Sequence, residues 1–197
     1  GRGASKSFHV ADFLLKLSYE AGHNILFTRY TMISAGISVI PEFTDKIDRY
    51  DLEGVFAVNQ SEIVNKASGS NLIFKGIKTS SGNQTASLKS LQGITTWVLD
   101  EAEELVDEDI FDKIDESVRV NSVQNRIIII LNPSTKEHWI YKRFFEQAGV
   151  EPGFNGKKDN VTYIHTTYLD NADNLNDSII HKFEKLKLQQ PQKYEHR

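Results

Sequence analysis

The chain has 197 residues, 39% hydrophobic and 25% charged, with 23 basic and 27 acidic side chains, a formal net charge of −4 and no cysteine. This is ordinary globular composition, and the length suits one domain of roughly 100–200 residues. It excludes disulfides, thiolate catalysis, Cys-based metal centres and a wholly basic nucleic-acid coat, and no apolar run approaches the ~20 residues that cross a bilayer. The N-terminal stretch Gly1–Phe8 reads as neither a signal nor a transit peptide.

Val10, Phe13, Leu14 and Leu17 recur at helical spacing before Gly22, which predicts an amphipathic helix starting at Lys6–Ser7. Ile25–Thr28 reads as a short buried strand. Ile33, Ile37 and Ile40 suggest a second helix, bent or ended near Pro41. Glu62–Lys66 and Asn71–Lys75 flank Ala67-Ser68-Gly69-Ser70 as a hairpin with a four-residue loop, and the polar stretch Lys78–Ser90 is expected to be a loop. Thr96–Leu99 and Ile127–Leu131 are continuous apolar runs of the kind found in central parallel strands covered on both faces. Between them Val106, Ile110, Ile114 and Val118 step by four, as in a crossover helix. A helix at His138–Ala148, a strand at Val161–Thr166 and a charged helix at Ser178–Gln189 complete an α/β pattern with a mostly parallel sheet.

Gly1-Arg2-Gly3-Ala4-Ser5-Lys6-Ser7 leads directly into the first helix. Small residues there let successive backbone N–H groups and the positive end of the helix cradle phosphate oxygens. Lys6 would reach the β/γ-phosphates and the Ser7 hydroxyl would bind Mg²⁺. Ser5 stands where G-x-x-x-x-G-K-[ST] has its last glycine, and the first glycine falls one position before Gly1. The bland alternative is a plain N-terminal segment with Ser7 near a helix cap.

The strand Thr96-Trp97-Val98-Leu99 ends in Asp100-Glu101. Asp100 at the carboxyl end of a central strand can hold the shell of Mg²⁺, and Glu101 can polarise a water for in-line attack on a γ-phosphate. Ten acidic residues fall between Asp100 and Glu116, and Glu103–Glu116 are read as a solvated helical face. The next apolar strand ends in Asn132-Pro133-Ser134. Asn132 is a candidate sensor of the γ-phosphate, with a simple Asn-Pro turn as the alternative. His9 and His165 have no partner at metal-ligand spacing.

Together these segments resemble the ATPase domain of the large terminase subunit of tailed bacteriophages. The resemblance extends to Arg2 inside the loop, Arg29 after the second strand, Lys89-Ser90-Leu91-Gln92-Gly93, the run Asp100-Glu101-Ala102 and Thr166-Thr167-Tyr168-Leu169-Asp170-Asn171. It implies a P-loop NTPase fold of the additional-strand, catalytic-glutamate type. The implied function is ATP hydrolysis with Mg²⁺ to move double-stranded viral DNA into a procapsid. The implied partners are a portal protein, a small terminase subunit and further copies in a ring, with no membrane. The implied place is the portal of the procapsid in the cytoplasm of the infected bacterial host. The resemblance puts the strand before the loop ahead of Gly1 and a nuclease domain beyond Arg197. Arg2 is then either an arginine finger in cis or a loop salt bridge, with Lys89, Arg119 and Arg126 as candidates for a finger in trans. Lys136, Lys142, Arg143, Lys157 and Lys158 are candidate DNA-phosphate contacts or simply solvated surface. Two other functions share these motifs: a helicase-like ATPase and a scaffold that binds nucleotide without hydrolysing it.

Overall fold

A computed structural model describes residues 3–31, 38–79, 82–83, 92–132, 135–191 and 194. The expectations placed on Gly1, Arg2, Ile33, Ile37, Lys89, Ser90, Leu91, Pro133 and Ser134 lie outside the described residues, as does most of the expected 78–90 loop. The chain divides into two compact units, Ser7–Ile130 and Gly1–Lys6 with Leu131–Arg197.

The first unit is built on the strands β1 (Asn24–Thr31), β2 (Phe56–Val58), β3 (Glu62–Asn65), β4 (Asn71–Thr79), β5 (Gly82–Asn83), β6 (Thr96–Asp100) and β7 (Arg126–Ile130). They form a seven-stranded sheet in the order β2-β3-β4-β1-β6-β7, with β5 on β4. β4, β1, β6 and β7 pair in parallel, and the β2, β3 and β5 pairings are antiparallel. The parallel ladders are the longer ones, so the α/β reading with a mostly parallel sheet holds.

Why the central runs are continuously apolar is plain from their burial: Ile25, Leu26, Phe27, Trp97, Val98 and Leu99 are all nearly inaccessible. Successive residues point to opposite faces. On one face Ile25, Phe27 and Val98 join Ala11, Leu14 and Leu15 of α1 (Lys6–Leu17) and Phe43 and Ile47 of α2 (Ile40–Arg49). Phe27, Phe43 and Phe74 meet there with ring centroids 5.3–6.0 Å apart. Trp97, one residue out of step with Val98, packs against Phe111 of α3 (Glu108–Asp115). Its indole N–H donates to Thr28 Oγ1 at 2.9 Å, and that hydroxyl donates to the Val98 carbonyl at 2.9 Å. A buried tryptophan N–H needs such a partner, and the chain of bonds ties β1 to β6.

Pro41 sits in the first turn of α2, directly after the helical residues Ser38 and Val39, where its missing N–H costs nothing and its fixed φ suits the helix. Three expectations change. Ile127–Leu131 does not form a central strand covered on both faces, because β7 is the outermost strand of the described sheet and Ile127–Ile129 are only half-buried. The crossover helix is only α3, because Val106 is 78% exposed and Asp107 caps the helix by accepting from the Asp109 N–H. The C-terminal strand stops at Tyr163 and belongs to a separate hairpin, β8 (Gly156–Lys158) with β9 (Val161–Tyr163), outside the central sheet. Ile164 is 76% exposed and so has no packing to extend the strand.

The hairpin of β3 and β4 forms as expected, Ile63 opposite Leu72. Its turn is held by Asn65, whose side-chain oxygen accepts from the Ala67 and Ser68 N–H groups. The second unit carries the short helical turn Trp139–Tyr141 running into a wider π-type turn at Lys142–Glu146, then the β8–β9 hairpin. It closes with a 3-10 stretch at Tyr168–Asn174 and α4 (Asp177–Gln189).

Candidate nucleotide site

In the second unit the loop residues Gly3 and Ser5 both take left-handed backbone, φ 78° and 52°. Ser5 therefore adopts the conformation that the loop pattern ordinarily assigns to glycine, at a cost of about 1–2 kcal/mol. Two amides hold this loop. Asn171 Nδ2 donates to the Gly3 carbonyl at 2.8 Å, and Lys6 Nζ donates to Asn132 Oδ1 at 2.9 Å. Ala4 is 6% exposed, which fits a loop of small residues packed closely. Asn132 thus stands beside the loop lysine. Asn171 is set by the capping box before it: Thr167 N–H and Oγ1 both donate to Asp170 Oδ2, at 2.7 and 3.0 Å. These bonds hold the Asp170 carboxyl below its ordinary range, the backbone bond contributing most.

In the first unit, Ser7 Oγ lies 3.4 Å from Asp100 Oδ1. Asp100 is 2% exposed at the tip of β6, with β1 and β7 on either side. Its other oxygen, Oδ2, accepts from Arg29 Nε at 2.8 Å and Nη2 at 2.6 Å. Arg29 Nη1 donates to Ser38 Oγ at 2.6 Å and lies 3.7 Å from Glu101 Oε2. Beyond Asp100 the backbone leaves the strand abruptly, because Glu101 is left-handed at φ 53° and ψ 44°. Such a conformation in a non-glycine residue stores of order 1–3 kcal/mol, and it commonly marks a site where placement matters more than comfort. Partial burial pushes the Glu101 carboxyl above its ordinary value; Arg29 opposes this, and Asp100, Glu104 and Glu103 add to it. A cavity of about 140 Å³ opens on the same face, lined by Ser7, Phe27, Arg29, Ser38, Glu42 and Phe43 among others.

One hydroxyl and one carboxylate facing each other are a hard-oxygen donor pair suited to Mg²⁺, which keeps several waters and takes its remaining ligands from phosphates. Among the described residues there is no cluster of three or more His, Asp or Glu that would cage a metal without such phosphates.

Residues 1–197 match the family model described as Phage terminase large subunit. The chain belongs to that family. Solved terminases share its fold at low identity. A large terminase of a thermophilic bacteriophage in complex with ADP aligns with TM-score 0.66 and 15% identity over 95% of this chain and 42% of its own. The large terminase ATPase domain of Thermus phage P74-26 aligns with TM-score 0.62 and 17% identity, over 100% of this chain and 83% of that one. A chain of the bacteriophage Phi-29 viral genome packaging motor assembly gives TM-score 0.56 and 16% identity, over 81% and 49%. No curated protein sequence matches. The terminase chain described here therefore spans less than half the length of the first of these relatives.

The basic residues singled out by the terminase resemblance have largely local contacts. Arg126 begins β7 and its guanidinium bonds the Gln124 carbonyl and side chain. It is four residues, about 13 Å along the strand, from Ile130, the residue paired with Asp100. Arg119 is exposed. Lys158 Nζ donates to the carbonyls of Ala148 and Gly149 and so closes the turn before β8. Lys136 and Arg143 lie over the rings of Tyr141 and Phe144, and Lys142 and Lys157 are exposed. The residues that motif reading missed are Ser38 and the loop-holding role of Asn171, neither of which has a spacing signal.

Proposed function

We propose that this chain is the ATPase motor portion of a phage terminase large subunit, hydrolysing ATP with Mg²⁺ to drive double-stranded viral DNA into a procapsid. The observation that carries the reading is Asp100 Oδ1 facing Ser7 Oγ at 3.4 Å, with Glu101 following on left-handed backbone. Backbone N–H groups of Gly3–Lys6, and the Gly1–Arg2 positions before them, cradle the phosphates, and Lys6 neutralises the β/γ-oxygens. Ser7 and Asp100 would hold Mg²⁺, which would supply charge stabilisation at the transferring phosphoryl group. Glu101 accepts the proton of the attacking water, and Asn132 registers the γ-phosphate beside Lys6. Arg2 is the proposed finger in cis.

The nucleotide complex of one structural relative and the packaging-motor assembly of another support ATP as substrate and the packaging machinery as the setting. Portal protein, small terminase subunit and a ring of like subunits at the procapsid are the partners this reading brings, and it assigns both compact units to one ATPase domain. No helix of the described residues is long and apolar enough to cross a membrane.

The test compares the unsubstituted protein with Glu101→Gln for ATP hydrolysis and for ATP-induced thermal stabilisation. Loss of hydrolysis with retained stabilisation is the expected result. Equal hydrolysis in both would make the chain a nucleotide-binding scaffold whose Glu101 has no chemical role.

A further inference from the structure

We infer that Arg29 is a positioning residue for the metal-side carboxylate, one that decides which oxygen of Asp100 faces Ser7. The inference rests on the reading of Ser7 and Asp100 as the Mg²⁺ side of the site and goes beyond it by giving Arg29 a role.

The sheet explains how the pair forms. Phe27 is in register with Val98 and Thr28 with Leu99 across the parallel β1–β6 ladder, so Arg29 and Asp100 are the next pair along. Alternation puts Arg29 on the face of Phe27 and Asp100 on the face of Val98, both of which belong to the core cluster under α1. The arginine is therefore delivered beside the carboxylate by the strand itself.

Geometry then separates the two oxygens. Nε and Nη2 both donate to Oδ2, at 2.8 and 2.6 Å, and the third guanidinium nitrogen is fixed by Ser38 Oγ at 2.6 Å. With three nitrogens of a rigid plane engaged and its side chain 12% exposed, Arg29 has little freedom to turn. Asp100 cannot rotate about its carboxyl axis without breaking two charge-assisted bonds. Oδ1, the oxygen 3.4 Å from Ser7 Oγ, is thereby the one presented to a cation.

A guanidinium this near also repels a dication, which acts in the opposite direction on metal affinity. Arg29→Lys separates the two effects, because it keeps the charge and removes the planar fork. The experiment measures Mn²⁺ binding to the ADP-loaded full-length protein by electron paramagnetic resonance, alongside ADP affinity in excess EDTA. Arg29→Lys should weaken Mn²⁺ by about tenfold, as loss of a ligand-orienting partner typically does, while metal-free ADP affinity stays within about twofold. In an Asp100→Asn background the same substitution should add nothing. Unchanged or tighter Mn²⁺ binding in Arg29→Lys, or additive losses in the double variant, overturns the inference. If Asp100→Asn itself binds Mn²⁺ as the unsubstituted protein does, the metal reading falls, and the inference with it. If Asp100→Asn loses Mn²⁺ and Arg29→Lys does not, only the role of Arg29 falls. A crystal structure of the unsubstituted protein with Mn²⁺ and ADP decides independently of any variant's folding. The anomalous Mn²⁺ peak belongs on the Oδ1 side with Arg29 still on Oδ2, and a metal on Oδ2 overturns the assignment.

Discussion

Asp100 stands at the tip of a strand buried on both faces and paired on both edges, whereas the loop residues Gly3 and Lys6 are held by two side-chain amides, those of Asn171 and Asn132. The first arrangement spreads placement over two backbone ladders and a packed core. The second relies on side-chain hydrogen bonds, of which the Asn171–Gly3 bond is worth about 0.5–1.5 kcal/mol net and the charged Lys6–Asn132 bond about 1.5–3 kcal/mol. A substitution at the carboxylates should therefore alter chemistry with the site still in place, while one at the loop should alter nucleotide affinity.

The largest effect that would break this contrast is at Glu101. Glu101→Gln should lower hydrolysis by about 10²–10⁴ while ATP still raises the melting temperature; loss of ATP binding in that variant would mean the strand tip is as fragile as the loop. Next comes the packing that holds the strands. Phe74 is fully buried against Phe27 and Phe43, so Phe74→Ala should cost about 3–5 kcal/mol in urea unfolding. A cost near zero would deny the sheet its role as a rigid base. Lys6→Ala should abolish ATP stabilisation, which at a hundredfold excess over Kd is about 2.7 kcal/mol. Survival of the thermal shift would remove Lys6 from phosphate binding.

Smaller effects sharpen the loop side. Asn171→Ala removes the bond to the Gly3 carbonyl, and ATP affinity should drop by about two- to tenfold in a fluorescent-nucleotide titration. Unchanged affinity would show that the loop keeps its form without this amide. The smallest expected change is in the titration of Asp170. Its folded-state pKa lies below the ordinary aspartate value, so its contribution to stability is present above that value and fades as pH falls through the depressed one. Thr167→Ala removes the hydroxyl bond and should move the Asp170 carboxyl, followed by NMR, part of the way back up. No movement would leave only the backbone N–H as its support.

Much of the scaffold was legible because burial on both faces writes continuous apolar runs, as at Ile25–Thr28 and Thr96–Leu99, whereas the equally apolar Ile127–Ile130 lies in the outermost strand of the described sheet with Ile127–Ile129 only half-buried. The loop before α1 and the acidic strand tip were legible for a similar reason, since phosphate and metal chemistry demand small residues before Lys6-Ser7 and carboxylates after an apolar strand. Pro41 was ambiguous, because proline suits a helix's first turn as well as the residue after its last. Val161–Thr166 was overextended, because nothing local reveals that Ile164 finds no partner.

What the sequence by itself determined is the local alphabet of the site: Gly3–Ser7 ahead of a helix, Asp100-Glu101 and Asn132 each after an apolar strand, and membership of the α/β class. Only the tertiary structure decided that Arg29 grips one oxygen of Asp100, 71 positions away, and that Asn171 holds Gly3 across 168 positions. Periodicity and turn chemistry act over a few residues, so they leave a trace in neighbouring letters. Which strand lies beside which, and in what register, is set by how whole faces pack, and no spacing along the chain encodes it.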